Sequence, residues 1–179
     1  MGPPEVYSLP LGDLEPFLDR KRYSAFPMSQ LQLPSFLGEI LRKANDFVPS
    51  TAGSILMDRP IDRGETPQDI MLYFVAAFGP SGMSLIGKNV PADRGVVGHV
   101  YRTGEPYLMA DPQSDPNFYS KFDDEYRFET NSVVAVPVRI ERAVCGVLEL
   151  LNRSDGKPYT ERNMHMLEIF ARYTSIAIE

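Results

Sequence analysis

Apolar residues recur at helical spacing through Leu33, Phe36, Leu37, Ile40, Leu41, Ala44, Phe47 and Val48. With Pro34 tolerated in the first turn and Pro49 at the exit, this pattern predicts an amphipathic helix. Before it the period fails. Pro3, Pro4, Pro10, Pro16 and Pro27 interrupt short apolar pieces, so residues 1–32 read as an N-terminal arm or linker, or as short helices packed against a domain. After it, residues 53–58 predict a short strand and residues 59–68 a polar loop. The run Met71–Phe78 is apolar, aromatic-rich and followed by Gly79-Pro80, and its length and that turn favour a buried strand over a helix.

Residues 94–103 predict a short helix ending at Gly104, and residues 107–110 a brief strand. Residues 111–130 are polar and aromatic together. They predict a long connection with helical content near residues 116–128, the kind of loop that often carries function. Residues 132–140 and 143–151 read as two strands joined by a tight turn at Glu141-Arg142. Pro137 cannot donate to a ladder and marks an edge, bulge or interruption. Thr160 is placed to serve as the N-cap of a last helix. Strands grouped between initial and final helices predict one α+β domain over residues 33–179, with helices packed on a sheet face.

The last helix carries two apolar stripes. Met164, Leu167, Ala171, Thr174 and Ile178 form one, and Met166, Ile169, Tyr173 and Ile176 a second. At about 100° per residue the apolar arc exceeds half the wheel, more than one sheet face requires. Either the helix is deeply embedded, or its second stripe pairs with another helix in a homodimer that also uses the helix from Leu33. The final residues lack a glycine cap or polar tail, and this predicts that an output domain follows.

Composition narrows the function. The 179 residues carry a net charge of −6, which disfavours nucleic acid, since its binding depends on neutralising phosphates. The triplet Arg20-Lys21-Arg22 is a local exception, read as a solvated turn. No apolar run approaches the roughly 20 residues that span a bilayer, so no membrane insertion is expected. The N-terminus lacks the basic and apolar parts of a signal peptide. The single cysteine, Cys145, excludes an internal disulfide and favours a reduced, cytoplasmic setting. His99 and His165 are too few and too far apart for a metal motif, and no metal site is expected. There is no nucleophile elbow, phosphate loop or dinucleotide fingerprint, so no catalytic residue is assigned and a small-molecule enzyme is the distant alternative.

One ordered set of motifs is more specific. Val90-Pro91-Ala92-Asp93-Arg94-Gly95-Val96-Val97-Gly98-His99-Val100 precedes Thr103-Gly104-Glu105-Pro106, then Asp115-Pro116-Asn117-Phe118-Tyr119, Val136-Pro137-Val138 and Gly146-Val147-Leu148-Glu149-Leu150-Leu151-Asn152. Over residues 33–179 this resembles a GAF domain, in particular the regulatory GAF domains of cyclic-nucleotide phosphodiesterases and related signalling proteins. The resemblance implies a central antiparallel sheet, terminal helices on one face and a loop-roofed ligand pocket on the other. It implies a sensory domain that binds a small molecule, a cyclic nucleotide among the candidates, and couples it to dimer helices; a ligand-free dimerisation module is the alternative. Carried over by position, Phe78 would stack on a base beside Gly79, and the backbone of Val96 and Val97 would approach a phosphate. Tyr119, Asp123, Tyr126 and Thr130 would come from the lid, and Glu149 from the floor. Read without the resemblance, Phe78 is equally a core ring, Tyr119 and Tyr126 can simply close the sheet, and Asp123 sits on a charged surface. The sequence departs from the nucleotide-binding pattern at Gly79, which cannot read a base, and at Tyr126, which replaces a small hydroxyl residue. The family's Asn-Lys…Phe…Asp-Glu signature appears as Asn152-Arg153, Tyr159 and Asn163-Met164, so its Lys–Asp ion pair cannot form. Cys145 and His99 do not match the bilin, sulfoxide-reducing or haem variants of the family.

Overall fold

Alternating β-branched and aromatic residues build the central sheet of the computed structural model, which describes residues 2–18, 33–62, 66 and 68–178. Its strands are β1 (Val6–Ser8), β2 (Ser50–Met57), β3 (Met71–Phe78), β4 (Asn89–Pro91), β5 (Tyr107–Met109), β6 (Val133–Ile140) and β7 (Ala143–Arg153). They run antiparallel in the order β1-β3-β2-β7-β6-β5, and β4 also pairs with β3, beyond the end of β1. The helices are α1 (Leu11–Leu14), α2 (Leu33–Phe47), α3 (Gly82–Leu85), α4 (Gly95–Thr103), α5 (Lys121–Tyr126) and α6 (Glu161–Ile178).

The two long helices cover one sheet face. Leu37, Leu41 and Ala44 of α2 and Leu167, Phe170, Ala171 and Thr174 of α6 are buried against Ile55, Val75, Val136, Leu148 and Leu150. The first predicted stripe of α6 is therefore core, except that Met164 is only partly buried and Phe170 joins it. Thr160 caps α6 as expected, by a reciprocal pair. Its Oγ1 accepts from the Asn163 N–H (3.2 Å), and Asn163 Oδ1 accepts from the Thr160 N–H (2.9 Å). Arg153, lacking an acidic partner at 163, pairs with Asp155 (2.5 Å).

Three elements escaped the sequence pattern because they are short: β1, β4 and α3 span three or four residues each. Strand β2 starts at Ser50, three residues before the predicted one, and α5 is a single compact piece of the longer helical stretch expected. Pro137 lies past the end of β5, whose pairing with β6 stops at Ala135. Val6–Ser8 pairs with β3, and Leu14 and Phe17 are buried in the helix-side core, so this part of residues 1–32 packs on the same sheet. The triplet Arg20-Lys21-Arg22 falls outside the described residues.

One irregularity decides which side chains face where. Ile55 opposes Ala76 but Leu56 opposes Phe74, so β3 carries one extra residue at this point. A bulge of this kind reverses the in–out alternation beyond it. Phe74 faces away from the long helices, whereas Phe78, four residues on, faces toward them.

Candidate functional site

The opposite face of the sheet lies under α3, α4 and α5, and between them is a cavity of about 130 Å³ that opens to solvent. Its floor comes from Ser54 and Leu56 of β2, Phe74 of β3 and Glu149 and Leu151 of β7. Ser54 and Glu149 stand directly opposite each other across two neighbouring strands. The Ser54 hydroxyl donates to Glu149 Oε1 at 2.8 Å. Both residues are buried. Burial pushes the Glu149 carboxyl up to about 7, while the Ser54 hydrogen bond draws it down by less.

The roof is aromatic. Phe122 of α5 meets Phe74 edge-on at 5.4 Å and stacks on Tyr126 at 5.9 Å. Phe118, Tyr119 and Phe128 complete it from the flanking loops. The α5 segment is tied down at Asp123, whose two carboxylate oxygens accept from the Thr130 N–H and the Thr130 hydroxyl, each at 2.7 Å. Asn152, at φ 56°, holds the base of the same loop. Its Oδ1 accepts from the N–H groups of Asn131 (2.7 Å) and Ser132 (3.2 Å), and its Nδ2 donates to the Glu129 carbonyl (2.7 Å). At the side, α4 begins with no side-chain cap at Arg94. The Arg94 guanidinium is mostly exposed and lies 5.9 Å from the Tyr119 ring centre.

Of the nine residues expected to line a pocket, Val96, Val97, Tyr119, Asp123, Tyr126, Thr130, Glu149 and Phe78 all border this cavity, and Gly79 does not. They are not equivalent. Phe78 is 1% exposed and belongs to the helix-side core with Leu150. It pairs with Gly53, where an added Cβ would come within 2.6 Å of its ring. The bulge in β3 thus makes it a wall of the core that only edges the cavity. Gly79 is fixed at φ 115° with its α-carbon against Ala52, so no side chain is accommodated there. Both oxygens of Asp123 are already occupied by Thr130. Glu149 is the carboxyl that remains available at the floor.

Sequence reasoning missed Ser54, Phe74, Phe118, Phe122 and Phe128. Ser54 is the one polar side chain between Gly53 and Met57, just as Glu149 is the one charge between Ala143 and Asn152. Each is a visible anomaly; that they face each other is set by strand pairing. His99 is not a ligand position in this geometry: its ring lies 4.9 Å from that of Tyr107, whose hydroxyl donates to Asp115 (2.9 Å). Cys145 is buried, with Sγ 3.4 Å from the Val138 carbonyl. Among the described residues no group of three or more His, Cys, Asp or Glu side chains could hold a metal ion, and no helix is long and apolar enough to cross a membrane.

The GAF domain family profile matches residues 30–179. The chain belongs to the GAF domain family. It is similar to "Probable 3',5'-cyclic phosphodiesterase pde-5" of Caenorhabditis elegans, 29% identical over 85 residues, covering 48% of this chain and 12% of that protein. It is also similar to "Dual 3',5'-cyclic-AMP and -GMP phosphodiesterase 11A" of Takifugu rubripes, 32% identical over 80 residues, covering 44% of this chain and 9% of that protein. The matches therefore span about a tenth of the length of these relatives. Among solved structures, residues 122 to 287 of a methyl-accepting chemotaxis protein superpose with a TM-score of 0.65 at 21% identity, covering 84% of this chain and 87% of that one. The GAF domain of a phosphoenolpyruvate-protein phosphotransferase from Coxiella burnetii gives 0.65 at 16% identity, covering 94% and 89%. These likenesses establish the GAF fold: an antiparallel sheet with long helices on one face and short helices over the other.

Proposed function

We propose that this GAF domain is a sensory, regulatory module without catalytic activity, acting in a cytoplasmic signalling protein. It takes a small ligand in the cavity bounded by Val96, Val97, Tyr119, Tyr126, Thr130 and Glu149, and couples occupancy to a homodimer through α2 and α6. The observation that carries the reading is the buried Ser54–Glu149 pair at the floor of an aromatic-roofed cavity that opens to solvent. A structural core has no use for a carboxyl in that position, because burying it costs free energy that a ligand contact would return. The similarity to phosphodiesterases brings cyclic nucleotides into the panel of candidates. An output domain in the complete protein fits relatives in which the matching region is a minor part of the length.

The dimer half of the reading rests on the outer helix surface. Ile169, Tyr173 and Ile176 of α6 are 47%, 50% and 66% exposed, and Phe36 and Phe47 of α2 are 47% and 61% exposed. Such an apolar face is unusual on a monomer and also supports the second reading, a GAF dimerisation module that binds nothing. Thermal shift against a metabolite panel that includes cAMP and cGMP separates the two, since a ligand specific for the native state raises Tm with concentration. Absence of any shift refutes the sensory reading. Sedimentation of the wild type and Ile169→Glu tests the other half. A folded monomeric variant from a dimeric parent is expected, and a parent that is monomeric at high concentration refutes the dimer.

A further inference from the structure

The charge balance inside the cavity is one-sided. Arg94 stands at the rim with its side chain 60% exposed, and the Asp123 carboxylate, with both oxygens hydrogen-bonded by Thr130, adds a second negative charge. Glu149 is 8% exposed and accepts one hydrogen bond, on Oε1; its second oxygen carries none among the described residues. Around it aromatic rings, whose faces attract cations, share the lining with aliphatic side chains. The cavity's volume of about 130 Å³ is close to the roughly 150 Å³ of an engineered apolar cavity that holds benzene.

Resting on the pocket reading above, we infer that the cavity floor selects a small organic cation, an ammonium or amidinium group on a compact apolar or aromatic body of about one ring. The cationic head donates to Glu149, replacing the water it loses, and the body lies among Phe74, Phe122 and Tyr126. An anion of the same shape meets the Glu149 carboxylate with no buried cation to offset it, and a neutral isostere leaves the carboxylate without a counter-charge. The titratable or charged groups that line the cavity with Glu149 are Asp123 and Tyr126 from α5 and Tyr119 and Arg94 beside α4, while Tyr159 lies in the helix-side core with its hydroxyl on Ser50. Burial brings the Glu149 carboxyl to about 7. Its ionised fraction rises about tenfold between pH 6 and pH 8 for a midpoint near 7, so cation affinity rises with pH over that window.

Benzamidinium, benzyl alcohol and benzoate are matched probes of the three charge states. They are titrated into the isotope-labelled protein at pH 6, 7 and 8, with amide shifts of Ser54, Thr130 and Glu149 reporting the site. The expected result is tightest binding of benzamidinium, an affinity gain of about tenfold from pH 6 to pH 8, and an affinity for benzyl alcohol that does not rise with pH. In Glu149→Gln the advantage of the cation over benzyl alcohol and the pH slope of its affinity are lost. Equal affinity for benzamidinium and benzyl alcohol at pH 8, tighter binding of benzoate, or a cation preference that survives in Glu149→Gln overturns the inference and leaves the pocket reading standing. If none of the probes moves those amides, both are refuted.

Discussion

Replacing Glu149 by glutamine changes one atom at the cavity floor and removes a titration. The carboxyl is moved from 4.5 to about 7 by burial, so the folded ligand-free protein holds a proton that the unfolded chain releases. Below about pH 4.5 both states are protonated, and Glu149 costs nothing. Between 4.5 and 7 the unfolded state gains by ionising while the folded state does not, and stability falls by about 1.4 kcal/mol per pH unit. Above 7 both states are ionised, and the accumulated loss levels off at about 3 kcal/mol. Glu149→Gln keeps an acceptor for the Ser54 hydroxyl and has no charge to bury. The variant and the wild type should therefore unfold at nearly the same urea concentration at pH 4.5. At pH 8 the variant should be more stable by up to about 3 kcal/mol, which for a domain of this size corresponds to a Tm rise of about 6–12 °C. Urea unfolding of both proteins at pH 4.5, 6, 7 and 8 gives the difference curve, in which every other titrating group cancels. A flat difference refutes the reasoning, because it means that the carboxylate is solvated through the cavity mouth and ionises as in the unfolded chain.

Phe78→Ala should cost about 3–5 kcal/mol by urea unfolding, as expected for an aromatic ring removed from a packed core; a loss below 1 kcal/mol would return Phe78 to the cavity. Asp123→Ala strips the Thr130 N–H and hydroxyl of their acceptor, so amide exchange across residues 121–130 should accelerate about 30-fold, equivalent to about 2 kcal/mol, with smaller changes in the sheet. Asn152→Ala loses three hydrogen bonds and places a Cβ-bearing residue without a stabilising side chain at positive φ, costing about 3 kcal/mol. Asn152→Gly, which relieves the φ, should recover part of that loss in the same measurement.

The long elements were legible because they obey one period throughout. The stripe from Leu33 to Val48 and the run Met71–Phe78 needed only spacing and flanking turns. The left-handed cap at Gly104, with φ 69°, was equally local. The GAF motifs located the cavity-lining segments at 96–97, 119–130 and 149. What remained hidden depended on pairing between distant strands. Nothing in the order of residues shows the extra residue in β3 that turns Phe78 toward the helices. Nor does any local pattern join Ser54 to Glu149, 95 positions apart. Asp123 looked like a free acceptor because its partner Thr130 approaches only when the intervening chain closes into α5.

Strand β7 is a wall shared by two compartments. Glu149 and Leu151 line the cavity, while Leu148 and Leu150 lie in the core beneath the long helices. Side chains at alternate positions therefore belong to different tasks and can be exchanged separately, one set altering what the cavity accepts and the other how firmly the helices seat. The backbone offers no such independence. A lateral displacement of the strand at Glu149 carries Leu148 and Leu150 with it, because each is one peptide unit away. Chemical preference can thus drift across a lineage position by position, whereas mechanical linkage between the two faces is inherited whole with the strand.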